Sequence, residues 1–102
     1  MNLIIKIENL IKEKITKFGY EDDVKIIVSG RPEFGDYQYN SAFNLAKRYH
    51  KNPIQIADEI TAELSKEDLF ETVTTVNGFI NLKLSDKALI NYMNEVIKDF
   101  SI

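Results

Sequence analysis

The sequence contains no cysteine and only one histidine, His50, among its 102 residues. Without cysteine the chain has no disulfides, thiolate metal sites or cysteine nucleophiles. With a single histidine, a zinc site or a Ser-His-Asp triad is hard to assemble, and we interpret His50 as a structural or solvent-exposed residue at a helix end. We therefore expect no catalytic residue, no metal site and no cofactor in this chain.

Long apolar runs are also missing. None approaches the roughly 18 residues that a membrane span needs, and the N-terminal segment alternates charged with apolar residues, unlike the apolar centre of a signal peptide. A hydrophobic content of 44% suits one domain with a modest core. We expect a single soluble domain over residues 1–102, monomeric and cytoplasmic, with no membrane partner.

The net charge of −3 hides an uneven distribution. Residues 24–55 carry five basic and two acidic side chains, so this segment is positive within an acidic chain. A local anionic partner is therefore possible, although such an imbalance also arises by chance.

Hydrophobic residues recur at helical spacing in four segments of the chain. In the last of them, Leu89, Met93, Val96 and Phe100 form one apolar stripe. Capping residues and glycine indicate where these helices begin and end. The expected boundaries are Gly19 after the first helix, Asn40 or Ser41 before the second, Asn52 and Pro53 at the start of the third, and Ser85 or Asp86 at the start of the fourth.

Short β-branched or alternating segments lie between the helices. Residues 24–29 predict a buried strand, and residues 36–39 predict a second, brief strand. Two further strands, 69–76 and 79–84, are separated by Asn77-Gly78, a pair that accepts the positive φ of a type I′ hairpin turn. The order helix, strand, strand, helix, helix, strand, strand, helix predicts an α+β domain with a small, mainly antiparallel four-stranded sheet and about four helices.

The segment "RPEFGDYQYNSAFNLAKRYHKNP", residues 31–53, concentrates turn-forming, aromatic and basic residues. Gly30, just before this segment, and Gly35 have the spacing of a phosphate-binding loop, but Asp36 and Tyr37 stand where that loop requires lysine and Ser/Thr. A core of this size cannot bury all the aromatics, and Phe34, on a turn, is the one we expect to be exposed. An exposed aromatic side chain can stack on an unpaired base. The alternative, in which Phe34 closes the edge of the core, stays open at this point.

The run from Arg31 to Ile60, together with the hairpin ending "NGFINLKLS", resembles the N-terminal additional domain of arginyl-tRNA synthetase. The resemblance covers essentially the whole chain. The residues that fit the family pattern in order and spacing are Pro32, Gly35, Asp36, Asn40, Leu45, Ala46, Lys47, Pro53, Ala57, Gly78, Phe79, Ile80 and Asn81.

The resemblance implies a domain that binds the outer corner of tRNA(Arg), near the D-loop, while a separate catalytic domain of the same synthetase performs the ligation. Neither the His-Ile-Gly-His-like nor the Lys-Met-Ser-Lys-like signature occurs in this sequence, so we expect no ligase activity from this chain by itself. In the family, the base-recognising residues lie on the turn and strand that hold the Phe-Gly-Asp segment. The candidate base-recognising residues are Arg31, Phe34, Asp36 and Gln38, with Tyr37 and Asn40 as further candidates, and the candidate backbone-binding bases are Lys47, Arg48 and Lys51.

Other interpretations stay open for several of these residues. Gly35 and Asp36 could instead build a tight turn tied by backbone hydrogen bonds, and Asn40 could cap a helix. We assign Phe79 and Asn81 to the hairpin and core. For the whole chain, the alternative to RNA binding is a protein-interaction module that docks a partner on the hairpin edge or the final helix.

Overall fold

The computed structural model describes residues 3–31, 33 and 35–100, with side chains given as far as residue 94. Pro32 and Phe34 therefore lie outside the described residues, and so does the expected exposure of Phe34. The order of helices and strands is the one that the sequence predicts, which confirms the α+β class. The elements are α1 (Leu3–Lys17), β1 (Ile26–Val28), β2 (Tyr37–Tyr39), α2 (Ala42–Tyr49), α3 (Pro53–Leu64), β3 (Phe70–Val76), β4 (Phe79–Leu84) and α4 (Asp86–Phe100).

The four strands form one antiparallel sheet in the order β1-β2-β4-β3. β3 and β4 are joined by the expected turn, in which Asn77 has φ 52° and Gly78 has φ 89°. Because successive side chains of a strand point to opposite faces, Tyr39, Ile80 and Leu82 share one face and are fully buried. This core face is covered by the helices, with α3 packed on β3 and β4 and with α1 and α2 packed on α3.

The helices start and stop close to the predicted residues. Asn52 Oδ1 accepts a hydrogen bond of 2.8 Å from the Ile54 amide at the start of α3, and Pro53 occupies the first turn. At the start of α2 the cap position belongs to Ser41, whose side chain makes no capping hydrogen bond. His50 ends α2 in the left-handed conformation with φ 56° and donates its amide to Ala46, which agrees with its interpretation as a helix-end residue.

The prediction of a buried strand over residues 24–29 is wrong in extent and in burial. The strand runs only from Ile26 to Val28, and the side chains of Ile27 and Val28 are 52% and 72% exposed. The physical reason is position: β1 is an edge strand, and only its first residue packs against the core. Its outer edge is partly protected, since the Ile26 amide donates to the Glu8 carboxylate at 3.0 Å.

The final helix leaves its apolar stripe uncovered where side chains are described. Leu89, Ile90 and Met93 are 40%, 56% and 60% exposed. A groove of about 410 Å³ lies between α1, residues 67–69 and the start of α4. Val96 and Phe100, the rest of the predicted stripe, lie outside the residues whose side chains are described. Within the described part of the chain, no helix has both the length and the apolar character required to cross a membrane.

Candidate nucleic-acid interface

The face of the sheet opposite the core carries polar and aromatic side chains. The strand register places Ile27 beside Gln38, Gln38 beside Asn81, and Asn81 beside Thr74. Two residues before Asn81 on β4, and so on the same face, lies Phe79. We call these five side chains the outer face: Ile27, Gln38, Thr74, Phe79 and Asn81.

The centre of the outer face is a hydrogen-bonded pair of amides. Gln38 Nε2 donates to Asn81 Oδ1 at 3.0 Å, and Asn81 is only 2% exposed. A side-chain amide has two N–H donors and one oxygen acceptor, so this bond leaves the Gln38 oxygen and Asn81 N–H groups for other partners. Because Asn81 is almost fully buried, the half-buried Gln38 amide is the group of this pair that can reach the edge of an unpaired base.

Phe79 lies in the hairpin, as expected, but on the outer face and not in the core, to which it was also assigned from sequence. Its side chain is 38% exposed, while the neighbouring Ile80 is fully buried. The cause is strand alternation: Ile80 points into the core, so Phe79 must point away from it. The Phe79 ring meets Phe43 of α2 edge to face, with 5.3 Å between ring centroids and 61° between planes. The sequence offered a signal for this arrangement, since Phe79, Asn81 and Lys83 alternate with the buried residues of β4.

Asp36 and Gly35 have the structural role that the sequence left open. Asp36 Oδ2 accepts a 2.9 Å hydrogen bond from the Leu84 amide, and the Asp36 amide donates to the Leu82 carbonyl at 2.7 Å. Gly35 has φ 151°, and a Cβ built there would lie 2.7 Å from the Leu82 carbonyl oxygen. These contacts attach the segment before β2 to β4. A contact of Asp36 with RNA stays a prediction.

Three other candidates differ in where the structure places them. Arg31 is exposed in the loop after β1, where its amide donates to the Ser29 hydroxyl oxygen at 3.2 Å. Tyr37 is half-buried and packs on the core side, so it does not share a face with Gln38. Asn40 follows β2, and its Oδ1 is buried with no hydrogen-bond partner among the described residues.

The three candidate bases of α2 and its C-terminal end separate into two groups. Arg48 donates to the backbone carbonyl of Glu21, and Lys51 Nζ lies 2.9 Å from the Tyr20 hydroxyl oxygen, so both are directed at the loop after α1. The hydrogen bond with Tyr20 raises the pKa of Lys51 above its usual value. Lys47 is exposed and lies one helical turn after Phe43, on the same side of α2. Of these bases, Lys47 is therefore the one whose sequence position places it next to the aromatic pair.

A metal site has no support in the described part of the chain. No group of three or more histidine, cysteine, aspartate or glutamate side chains is arranged there to hold a metal ion. The side chains of the outer face and of α2 offer stacking, hydrogen bonding and charge attraction.

Comparison with known proteins gives one consistent result. Residues 5–84 match the family described as "Arginyl tRNA synthetase N terminal domain". Arginine–tRNA ligase of Agathobacter rectalis is 37% identical over 100 residues, which cover 92% of this chain and 17% of the relative. The corresponding ligase of Alkaliphilus oremlandii is 36% identical over 99 residues, covering 94% of this chain and 17% of the relative. The chain therefore spans about a sixth of the length of these curated relatives.

Solved structures give the same relationship. Arginyl-tRNA synthetase of Thermus thermophilus matches with a TM-score of 0.77 and 27% identity, over 89% of this chain and 15% of that protein. The Plasmodium falciparum enzyme matches with a TM-score of 0.74 and 27% identity, over 87% of this chain and 17% of that one. Because the family match covers most of the chain and the sheet and helices superpose on these structures, this chain belongs to the arginyl-tRNA synthetase N-terminal domain family.

Proposed function

We propose that this chain is a tRNA-binding accessory domain of an arginyl-tRNA synthetase. In this proposal it contacts the outer corner of tRNA(Arg), near the D-loop, and supports arginylation by a separate catalytic domain of the same synthetase. The observation that carries the proposal is the outer face, where the Gln38–Asn81 amide pair lies two residues along β4 from the half-exposed ring of Phe79. The proposal also includes a monomeric, cytoplasmic protein with no membrane partner and no catalytic activity in this chain alone.

The chemistry of the outer face suits a base that has left its helical stack. Such a base needs a flat apolar surface to stack on and hydrogen-bonding groups at its edge, and loops of folded RNA supply bases of this kind. Phe79 offers the first, and the half-buried side-chain amide of Gln38, held by its hydrogen bond to Asn81, offers the second. The exposed residues Arg31 and Lys47 belong to the positive segment and supply charge for the RNA backbone.

Phe34 keeps its place in the proposal as a second stacking residue. If its ring stacks on an unpaired tRNA base, Phe34→Ala should weaken binding by about 1 to 3 kcal/mol while the melting temperature stays nearly unchanged. Loss of folding in this variant, or unchanged tRNA affinity, would contradict stacking by Phe34 and indicate that its side chain belongs to the core.

The amide pair gives the sharpest test of the proposal. In a titration of the chain with a tRNA(Arg) transcript, Gln38→Ala should weaken binding by about 1 to 2 kcal/mol, because the base edge loses a hydrogen-bond partner. The matched control is Gln55→Ala, which makes the same substitution at an exposed site on α3. Equal affinities for the two variants would contradict RNA readout by the outer face.

The charged contacts require a different readout. Replacing Lys47 and Arg48 together by alanine should weaken binding of any RNA to a similar degree and flatten its dependence on salt, because phosphate contacts act through counterion release. Affinity measured between low and moderate salt gives the slope. An unchanged slope would remove these two bases from the interface.

A protein-docking role for α4 is a second candidate, and its exposed stripe favours it. Leu89, Ile90 and Met93 present apolar surface that nothing in the described chain covers. Relatives are about six times longer than this chain, so the proposed occupant is the remainder of the synthetase. Mixing the chain with the separately expressed remainder of the Agathobacter rectalis enzyme should give binding that Leu89→Gln with Met93→Gln abolishes. Calorimetry that detects no association would reject this candidate.

A further inference from the structure

The second half-exposed aromatic at the corner of the outer face, Phe43, has no place in the core. The buried side of α2 is formed by Ala42, Leu45 and Ala46, each at most 9% exposed. Phe43 projects beside them and is 38% exposed, the same fraction as Phe79. A lone exposed apolar side chain needs no explanation, but here two large rings are in contact with each other.

The Phe43 ring is held in place by the hairpin turn. A Cβ built on Gly78 would lie 2.9 Å from Phe43 Cζ and 3.3 Å from Cε2, so the ring rests directly on the glycine backbone. On its other side it meets Phe79 edge to face, at 5.3 Å between centroids. Across the turn from Phe79, Val76 is 44% exposed and extends the apolar surface. The ring is therefore positioned before any ligand arrives, which lowers the entropy cost of stacking.

The surroundings of the ring pair combine the features of a single-stranded RNA site. Along β4, Phe79 is two residues from Asn81, about 7 Å for a strand, and Asn81 is bonded to Gln38. Along α2, Lys47 lies one turn from Phe43, about 6 Å for a helix, and it is exposed. Two aromatic rings, the half-buried amide of Gln38 and a cation thus lie near one another, the combination expected for binding unpaired nucleotides.

We infer that Phe43 is a further contact residue of the RNA-binding surface and that it forms, with Phe79, a two-ring platform for one unpaired nucleobase. This inference rests on the proposed function. Phe43 holds the Phe79 ring by edge contact, and its own exposed edge adds area for the base. Lys47 lies one helical turn from Phe43 and can therefore attract the phosphate of the same nucleotide.

Two substitutions of Phe43 distinguish the effect of the aromatic ring from the effect of side-chain size. Phe43→Tyr keeps the ring and should bind a tRNA(Arg) transcript within about twofold of the unaltered chain, whereas Phe43→Leu should bind about tenfold more weakly. The matched control is Tyr92→Leu on α4, because Tyr92 is also 38% exposed and its loss should leave RNA affinity unchanged. Melting temperatures measured on the same samples show whether Phe43→Leu retains its fold.

Stacking itself is followed with 2-aminopurine placed at an unpaired D-loop position of the transcript, since its fluorescence falls on stacking. The inference predicts quenching by the unaltered chain and by Phe43→Tyr, and weaker quenching by Phe43→Leu at saturating protein. Tight RNA binding that depends on Gln38 but is the same for Phe43→Leu and Tyr92→Leu would overturn this inference alone. No binding of the transcript by the unaltered chain would overturn the proposed function and this inference together.

Discussion

Neighbouring side chains of β2 lie alternately in the core and on the outer face, because successive side chains of a strand point to opposite faces. Tyr39 is fully buried, and its hydroxyl donates to Asp22 Oδ2 at 2.7 Å. The Gln38 side chain, on the other face, is half-buried and donates to Asn81 Oδ1 at 3.0 Å. Substitutions of Tyr39 should therefore act mainly on the stability of the fold, and substitutions of Gln38 mainly on RNA affinity.

Asp36→Ala should destabilise the domain more than it weakens RNA binding. The carboxylate accepts the Leu84 amide at 2.9 Å, and its removal leaves that partly buried N–H without a partner. The expected loss is about 1 to 3 kcal/mol in the free energy of unfolding, measured by urea denaturation. Asp23→Ala, at an exposed site, is the control and should change stability by less than about 0.5 kcal/mol. A stability equal to that of the control, with lost tRNA affinity, would show that Asp36 acts on RNA instead.

Tyr39→Phe should change how stability depends on alkaline pH. Burial, together with the bond to Asp22, raises the pKa of Tyr39 far above its usual value. A group whose pKa is raised by folding contributes stability that is complete below its unfolded pKa, about 10 for tyrosine, and that falls as the pH rises beyond it. Urea denaturation between pH 8 and about 11 should show a shallower decline for Tyr39→Phe than for the unaltered chain. Identical slopes would contradict a buried, protonated hydroxyl.

At the scale of helices and strands, the features that the sequence predicted correctly are those that depend on residues close to one another in sequence. The Asn77-Gly78 turn, the Asn52-Pro53 helix start and the element order depend on residues close in sequence, and each was predicted. The Gln38–Asn81 bond joins residues 43 apart and depends on strand order and register, which no local pattern fixes. The exposure of β1 depends in the same way on its place at the sheet edge.

Gly78→Val should destabilise the hairpin for two independent reasons. The residue has φ 89°, which strains a β-branched side chain, and a Cβ there would press against the Phe43 ring at 2.9 Å. We expect a loss of about 2 kcal/mol or more in the free energy of unfolding, seen as a lower melting temperature. Gly30→Val is the control, because Gly30 has open space around it and no positive φ. Equal melting temperatures for the two variants would show that the turn is not of type I′.

At the scale of the whole molecule, the described chain presents two different kinds of exposed surface. The outer face and the exposed side of α2 carry the amide pair, two aromatic rings and Lys47, whereas α4 carries an uncovered apolar stripe. The family resemblance was visible in the sequence because several of its motif residues, among them Gly35, Asp36, Pro53 and Gly78, build turns or a helix start. The alternation along β4 separates Phe79 and Asn81 from the buried Ile80 and Leu82, but the sequence did not predict which residues of the other strands lie beside them, since that depends on strand order and register.

The most direct test of RNA binding by the outer face is a titration of the isotopically labelled chain with a tRNA(Arg) transcript, followed by two-dimensional amide NMR. At 11.8 kDa the free chain is small enough for complete backbone assignment. If the outer face binds RNA, the largest changes should occur at Gln38, Phe43, Phe79 and Asn81, with weaker changes at Lys47 and none along Leu89–Met93. Changes confined to α4, or no changes at an excess of transcript, would contradict it.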